Sequence, residues 1–268
     1  MHLIVIIFSL IPVANAFSQT SISDSISLKH ISKQIPLGIP KDNSPDDDLI
    51  IVRPQYIISY NPVINSVNWA GWNLNSSWFG KSGRYNGNFI ADTSLSDSIL
   101  RITHGDYTNS GYDRGHLVRS HERSANIDDN KSTFFMTNVI PQTPDLNRGV
   151  WLNFERFCEE LALKQKKELY IYSGGVYKNN KTIGKGVSVP DSCYKIVIVL
   201  ERGEGLECVG YNTIIYSVMM PNVQGIRNHQ WSKYSVSVSH IENSTGYNFL
   251  KEVPDEIQGI IEQIIHKK

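Results

Sequence analysis

The chain has 268 residues, of which 40% are hydrophobic and 19% charged. This suits one large or two small globular domains and excludes an extended disordered chain. Twenty-six basic residues balance 26 acidic ones for a formal net charge of +0, so there is no bulk attraction to a polyanion, and contact with one must come from local arginines.

At the N-terminus, Leu3 to Val13 is apolar apart from Ser9 and is followed by Ala14-Asn15-Ala16, a small-x-small cleavage pattern. The run is too short to cross a bilayer and reads as a signal peptide over residues 1–16, with Phe17 as the first mature residue and the periplasm or medium as destination. Because no Lys or Arg precedes the run, a buried strand or an uncleaved anchor stays open. Residues 17–36, rich in Ser and Ile without a clear period, read as a leader. No linker or repeat interrupts 37–268, which reads as one domain.

Within it, Ile50–Val52, Tyr56–Ile58, Val67–Leu74, Leu169–Ser173, Tyr194–Leu200 and Tyr211–Met220 have the Ile, Val and Tyr content of strands. Val67–Leu74 reads as alternating, and Ser132–Asn138 reads as a strand that delivers Asn138 at its end. From Asn147 the apolar positions Val150, Trp151, Phe154, Phe157, Cys158 and Leu161 repeat as on a helix, and Ile257, Ile260, Ile261, Ile264 and Ile265 do so after Pro254. Many strands and few helices indicate an α+β fold with an antiparallel or mixed sheet. Three cysteines are too few for a disulfide framework and lack metal-site spacing. Cys158 reads as a buried thiol, and pairing of Cys193 with Cys208 stays open.

One stretch concentrates chemistry. Asp113-Arg-Gly-His116 is followed by Asn138, Asn147 and Glu155. Cutting a phosphodiester needs a base for water, a cation on the phosphate and positive charge for the transition state. His116 suits the base because imidazole accepts protons near neutral pH, Arg114 offers paired donors to phosphate, and amide and carboxylate oxygens suit a hard cation. Gly115 permits close backbone approach. Glu155 lies eight positions beyond Asn147, roughly 12 Å on a continuous helix. One direct Asn ligand, with Glu155 holding the ion's waters, therefore fits better than two direct ligands. Taken singly, the asparagines could equally cap helices, Glu155 could be a solvated helix residue, and Asp-Arg-Gly-His could be a surface ion pair beside a core histidine.

The run Asp106–His116, then Phe135–Gln142, then Leu146–Trp151 and Glu155 resembles the DNA/RNA non-specific endonuclease family, the sugar-nonspecific ββα-metal nucleases that include endonuclease G. Weaker similarity extends over about residues 37 to 265. The resemblance implies a ββα-metal fold with a central antiparallel sheet flanked by helices. It also implies an endonuclease of low sequence specificity that leaves 5′-phosphate ends on DNA and RNA. It makes His116 the general base, Asn147 the sole protein ligand of Mg²⁺ (or Mn²⁺), and Glu155 a partner of the ion's waters. Asn138 becomes the amide supporting the site, Arg114 and Arg84 phosphate contacts, and Asp113 a residue orienting the turn. Two departures stand out: Arg119 replaces a proline, and Glu159 stands where some members carry an arginine. Two rival readings are an inactive nucleic-acid-binding protein of the same fold and a phosphodiesterase for small esters. A homodimer, and a protein inhibitor encoded elsewhere, are left open as partners.

Overall fold

In the computed structural model, which describes residues 25–267, the chain runs in order through α1 (Ser25–Gln34), β1 (Leu49–Val52), β2 (Ile57–Asn61) and β3 (Ser66–Leu74). An excursion follows, made of β4 (Asp113–His116), α2 (Ile127–Ser132), β5 (Val139–Gln142) and α3 (Trp151–Leu163). The remainder comprises β6 (Glu168–Val176), β7 (Thr182–Ile183), β8 (Val187–Ser188), β9 (Ser192–Leu200), β10 (Ile214–Pro221), α4 (Val238–Thr245) and α5 (Asp255–Ile261). The apolar N-terminal run and the expected cleavage before Phe17 lie outside the described residues. Among those described, no helix is long and apolar enough to cross a membrane.

The main sheet is antiparallel with strand order β1-β2-β3-β6-β9-β10. Helix α3 lays Trp151, Phe154, Phe157, Cys158 and Leu161 on one face, where Trp72, Ile171, Cys193 and Val197 meet them. On the other face Ile35, Leu37, Val238, Ile241, Phe249 and Ile261 cover Trp69, Tyr172, Tyr194 and Ile196. Because both faces are covered, β3 and β6 are buried along their whole length, and the alternation expected of Val67–Leu74 is replaced by burial of the polar positions as well. Phe154 is fully buried among the aromatic rings of Phe157 and Trp231, so Phe154→Ala should cost about 3–5 kcal/mol of stability, read as a lowered urea midpoint.

Several sequence expectations are corrected. The stretch taken as leader contains α1, whose end is tied in: Gln34 donates to the Pro54 carbonyl at 2.6 Å and accepts from the Asn73 amide at 2.9 Å. Ile26 and Leu28 stay exposed, which is why no apolar period showed. Ser132–Asn138 is not a strand. Asn126 caps α2, Ser132 and Thr133 hydroxyls bond carbonyls one turn back, and Met136–Asn138 forms a 3₁₀ turn; local side-chain bonds win over a ladder. The helix expected from Asn147 starts instead as a π turn over Leu146–Val150, broken at Gly149 (φ −119°, ψ −109°), and α5 ends at Ile261 with Ile264 and Ile265 exposed. Cys158 and Cys193 are buried free thiols and Cys208 an exposed one, so Cys193 and Cys208 are not paired.

Candidate active site

Strands β4 and β5 form a two-stranded ribbon, with Asp113 opposite Gln142 and His116 opposite Val139. Alternate residues of a strand share a face, which sets Arg114 and His116 on one side and Asp113 and Gly115 on the other. At Gly115 a Cβ would overlap the Gln142 side-chain amide, so a larger residue there would require Gln142 to move. The His116 imidazole packs between Phe89 and Phe134, with ring centroids 5.0 and 5.1 Å away. Its Nε2 is buried without a hydrogen-bond partner among the described residues. Burial, then the nearby Arg84 and Arg119 charges, push its pKa down to about 3, so the ring is neutral at neutral pH and able to accept a proton. Arg84 lies 4.7 Å over the same Phe134 ring and bonds the Ser120 hydroxyl.

Asn138 is fully buried. Its side chain accepts from the Val118 amide at 3.0 Å and donates to the Val118 and Thr133 carbonyls, each at 2.9 Å, while its own carbonyl takes the Leu117 amide. Rather than projecting into a cleft, it pins the backbone that follows His116. Three satisfied bonds hold it inward.

At the start of the ribbon, the Asp113 carboxylate accepts from Asn147 Nδ2 at 2.9 Å and from Arg148. That contact fixes which end of the Asn147 amide is oxygen and turns that oxygen away from Asp113. The π turn carrying Asn147 is anchored because Asp145 accepts from the Gly225 amide at 2.7 Å and from Arg227 at 2.9 Å. Gly149 is obligatory here, since a Cβ would sit 2.6 Å from the Arg227 backbone. The kink means that the straight-helix spacing of about 12 Å does not apply between Asn147 and Glu155.

Glu155, in the first turns of α3, is buried, and burial raises its carboxyl pKa while Lys195 and Arg119 pull it down. Arg119 Nε is 3.6 Å from Oε2, and Lys195 Nζ is 3.6 Å from Oε1. Arg119 also donates to Glu159 at 2.8 Å. Arg114, by contrast, is spent locally: it donates to the His104 carbonyl at 2.6 Å and to the Thr108 hydroxyl at 3.0 Å. It borders an open cavity of about 430 Å³ shared with Tyr107, Tyr112, Asp113 and Arg148.

A half-buried histidine with an unpartnered ring nitrogen, an oriented amide and a buried carboxylate thus follow one another along a ribbon, a turn and a helix. The model of the family described as DNA/RNA non-specific endonuclease matches residues 34–256. The chain belongs to that family. It is 43% identical over 244 residues to a nuclease of Nostoc sp. (strain PCC 7120 / SAG 25.82 / UTEX 2576), covering 91% of this chain and 88% of that protein. It is 27% identical over 214 residues to mitochondrial endonuclease G of Bos taurus, covering 75% and 69%. The crystal structure of the EndoG/EndoGI complex superposes with a TM-score of 0.72 at 22% identity, over 84% of this chain and 93% of that one, in agreement with the ββα-metal fold. Membership makes the protein a nuclease, a hydrolase whose substrate is nucleic acid, and implies a divalent metal.

In this non-specific endonuclease the sequence reading missed five residues around the candidate site. Phe89 and Phe134 wall the histidine, and His104 holds Phe89 in place by accepting its backbone N–H at 3.2 Å. Arg119 joins the site where a proline was expected. Lys195 lies beneath Glu155; its signal was a lone charge inside the apolar strand Cys-Tyr-Lys-Ile-Val-Ile. His121 stays at the rim, half exposed, 3.4 Å from Glu159.

Proposed function

We propose that the protein is an exported, Mg²⁺-dependent endonuclease of low sequence specificity, in which His116 is the base and Asn147 the metal ligand. The observation carrying this reading is the His116 imidazole, neutral and unpartnered at its buried Nε2, on the same ribbon as the Asp113 carboxylate that orients Asn147. The donor set fits a hard divalent ion: an amide oxygen with its nitrogen already engaged, and a buried carboxylate one helix segment on. Asn147 would hold the ion directly and Glu155 through its waters. When bound, the ion supplies positive charge against the phosphate and the leaving oxygen.

The rest is performed by the chain. The His116 imidazole takes a proton from water as that water attacks phosphorus; the bond to the 3′ oxygen breaks with its electron pair on that oxygen, which takes a proton from solvent, leaving a 3′-hydroxyl and a 5′-phosphate. Phe89 and Phe134 keep the imidazole from rotating, and Asn138 holds the segment behind it. Arg84, and Arg114 through the Nη1 that its bonds to His104 and Thr108 leave over, would meet backbone phosphates, which give affinity without base readout, so binding should weaken with salt. Export rests on the apolar N-terminal run and its small-x-small site. The deciding experiment is cleavage of matched RNA and DNA by the mature form with Mg²⁺, Mn²⁺ or EDTA. Cleavage surviving EDTA, or binding without cleavage under either ion, would sink the reading.

The pH profile offers a second check. Since the ring's pKa lies below the usual 6.5, the acid limb of kcat/KM that His116 governs should fall below 6.5. Arg84 is one of the cations lowering it, so Arg84→Ala should move that limb to higher pH as well as raising KM. An unmoved limb would show that Arg84 does not act on the base.

A further inference from the structure

Lys195 is a charge where the fold asks for none. It lies on β9 between Cys193 and Val197, which share its face and belong to the core beneath α3. Its side chain is 1% exposed. A buried ammonium is expensive unless something holds it, and an apolar residue of similar length would satisfy the packing. What holds it here is Glu155 Oε1 at 3.6 Å, with the rings of Trp151 and Trp72 at 4.6 and 5.3 Å. Arg119 meets the other carboxylate oxygen, also at 3.6 Å. The two cations differ in one respect: Arg119 is 20% exposed and shared with Glu159, so it stays open to solvent and to an arriving polyanion. Lys195 is shut away from both.

We infer that Lys195 is a positioning residue for the proposed site: from the sheet beneath α3 it fixes the rotamer of Glu155, so that one carboxylate oxygen is tied down and the group is presented in a single orientation towards the metal's waters. Lys195 touches neither substrate nor ion and acts through Glu155 alone. Arg119 steadies the second oxygen but yields to competition, and Lys195 does not. The inference rests on the reading that Glu155 serves the metal.

The test compares the full mature chain with Lys195→Met, Lys195→Gln, Glu155→Gln and the double variant Lys195→Met/Glu155→Gln. Mn²⁺ affinity is read by calorimetry without substrate, kcat and KM on DNA, and thermal unfolding alongside. Lys195→Met should bind Mn²⁺ about tenfold or more weakly, the range for residues that support ligands. Its kcat should fall by a similar factor, with KM for DNA within about twofold. Lys195→Gln is one atom shorter but keeps an N–H donor without the charge, and should lose in the same direction even if the Met variant does not fold. The double variant should be no worse than Glu155→Gln alone, because a residue that acts only through Glu155 has nothing left to act on. Wild-type Mn²⁺ affinity and kcat in either folded Lys195 variant would overturn the inference, as would losses that multiply in the double variant. If Glu155→Gln itself keeps wild-type Mn²⁺ affinity and kcat, the assignment of Glu155 falls and the inference with it. If Glu155→Gln loses both and the Lys195 variants do not, only the inference falls.

Discussion

His116→Ala should lower kcat by about 10²–10⁴-fold, the range for removal of a positioned general base, while the fold survives. The structure separates the two effects unusually well. The imidazole makes no hydrogen bond and its Nε2 has no partner, so its loss leaves no polar group orphaned. The vacated space lies between Phe89 and Phe134, an apolar slot of the size of the ring that left. Added imidazole should therefore enter it and restore part of the rate, with a pH dependence following the free base. Steady-state cleavage of plasmid with circular dichroism as the folding control would check this, and a wild-type rate in His116→Ala would remove the histidine from the mechanism.

Asn147 should be as sensitive, and its carboxylate analogue should fail too. Asn147→Ala removes the proposed direct ligand, and a loss of at least about a hundredfold is expected, beyond that of supporting residues. Asn147→Asp looks conservative, since carboxylates hold hard cations well. In this site, however, Asn147 Nδ2 donates to Asp113 at 2.9 Å. An aspartate would replace the Asn147 donor with a second carboxylate against Asp113, whose oxygens already take the Arg148 donors, and repulsion would turn the new group or protonate it. Asn147→Asp should consequently show weak Mn²⁺ binding by calorimetry and poor cleavage, and Asp113→Asn should relieve part of the defect. Wild-type behaviour of Asn147→Asp would mean that Asp113 does not orient the ligand.

The groups proposed to react were legible in the sequence because their types and order carry the chemistry: His116, Asn147 and Glu155 need only be present for a phosphodiester mechanism to be written. The sheet was legible from its Ile, Val and Tyr runs. What escaped was settled by local competition or by distance. Ser132 and Thr133 bond their own turn, so a strand-like composition became α2 and a 3₁₀ turn. Asn138 turned inward because Val118 and Thr133 offered three backbone partners. Gly149 broke a well-patterned helix because the Arg227 backbone passes 2.6 Å from where its Cβ would be, a neighbour 78 positions along the chain that no periodicity reveals. Arg119 and Lys195 come from a loop and a distant strand, and only the folded chain puts both on Glu155.

Almost every group proposed to act lies between β3 and β6, although those two strands are immediate neighbours. To the rest of the fold, residues 75–167 are one long loop whose ends meet side by side. In polymer terms such a loop is inexpensive to lengthen: closing about ninety residues instead of about ten costs only about 2 kcal/mol of chain entropy. The sheet can therefore keep its pairing while the excursion gains, loses or exchanges segments. A graft of a relative's excursion between Leu74 and Glu168 should carry its activity with it, provided that the lysine waiting on β9 meets a glutamate in the incoming helix.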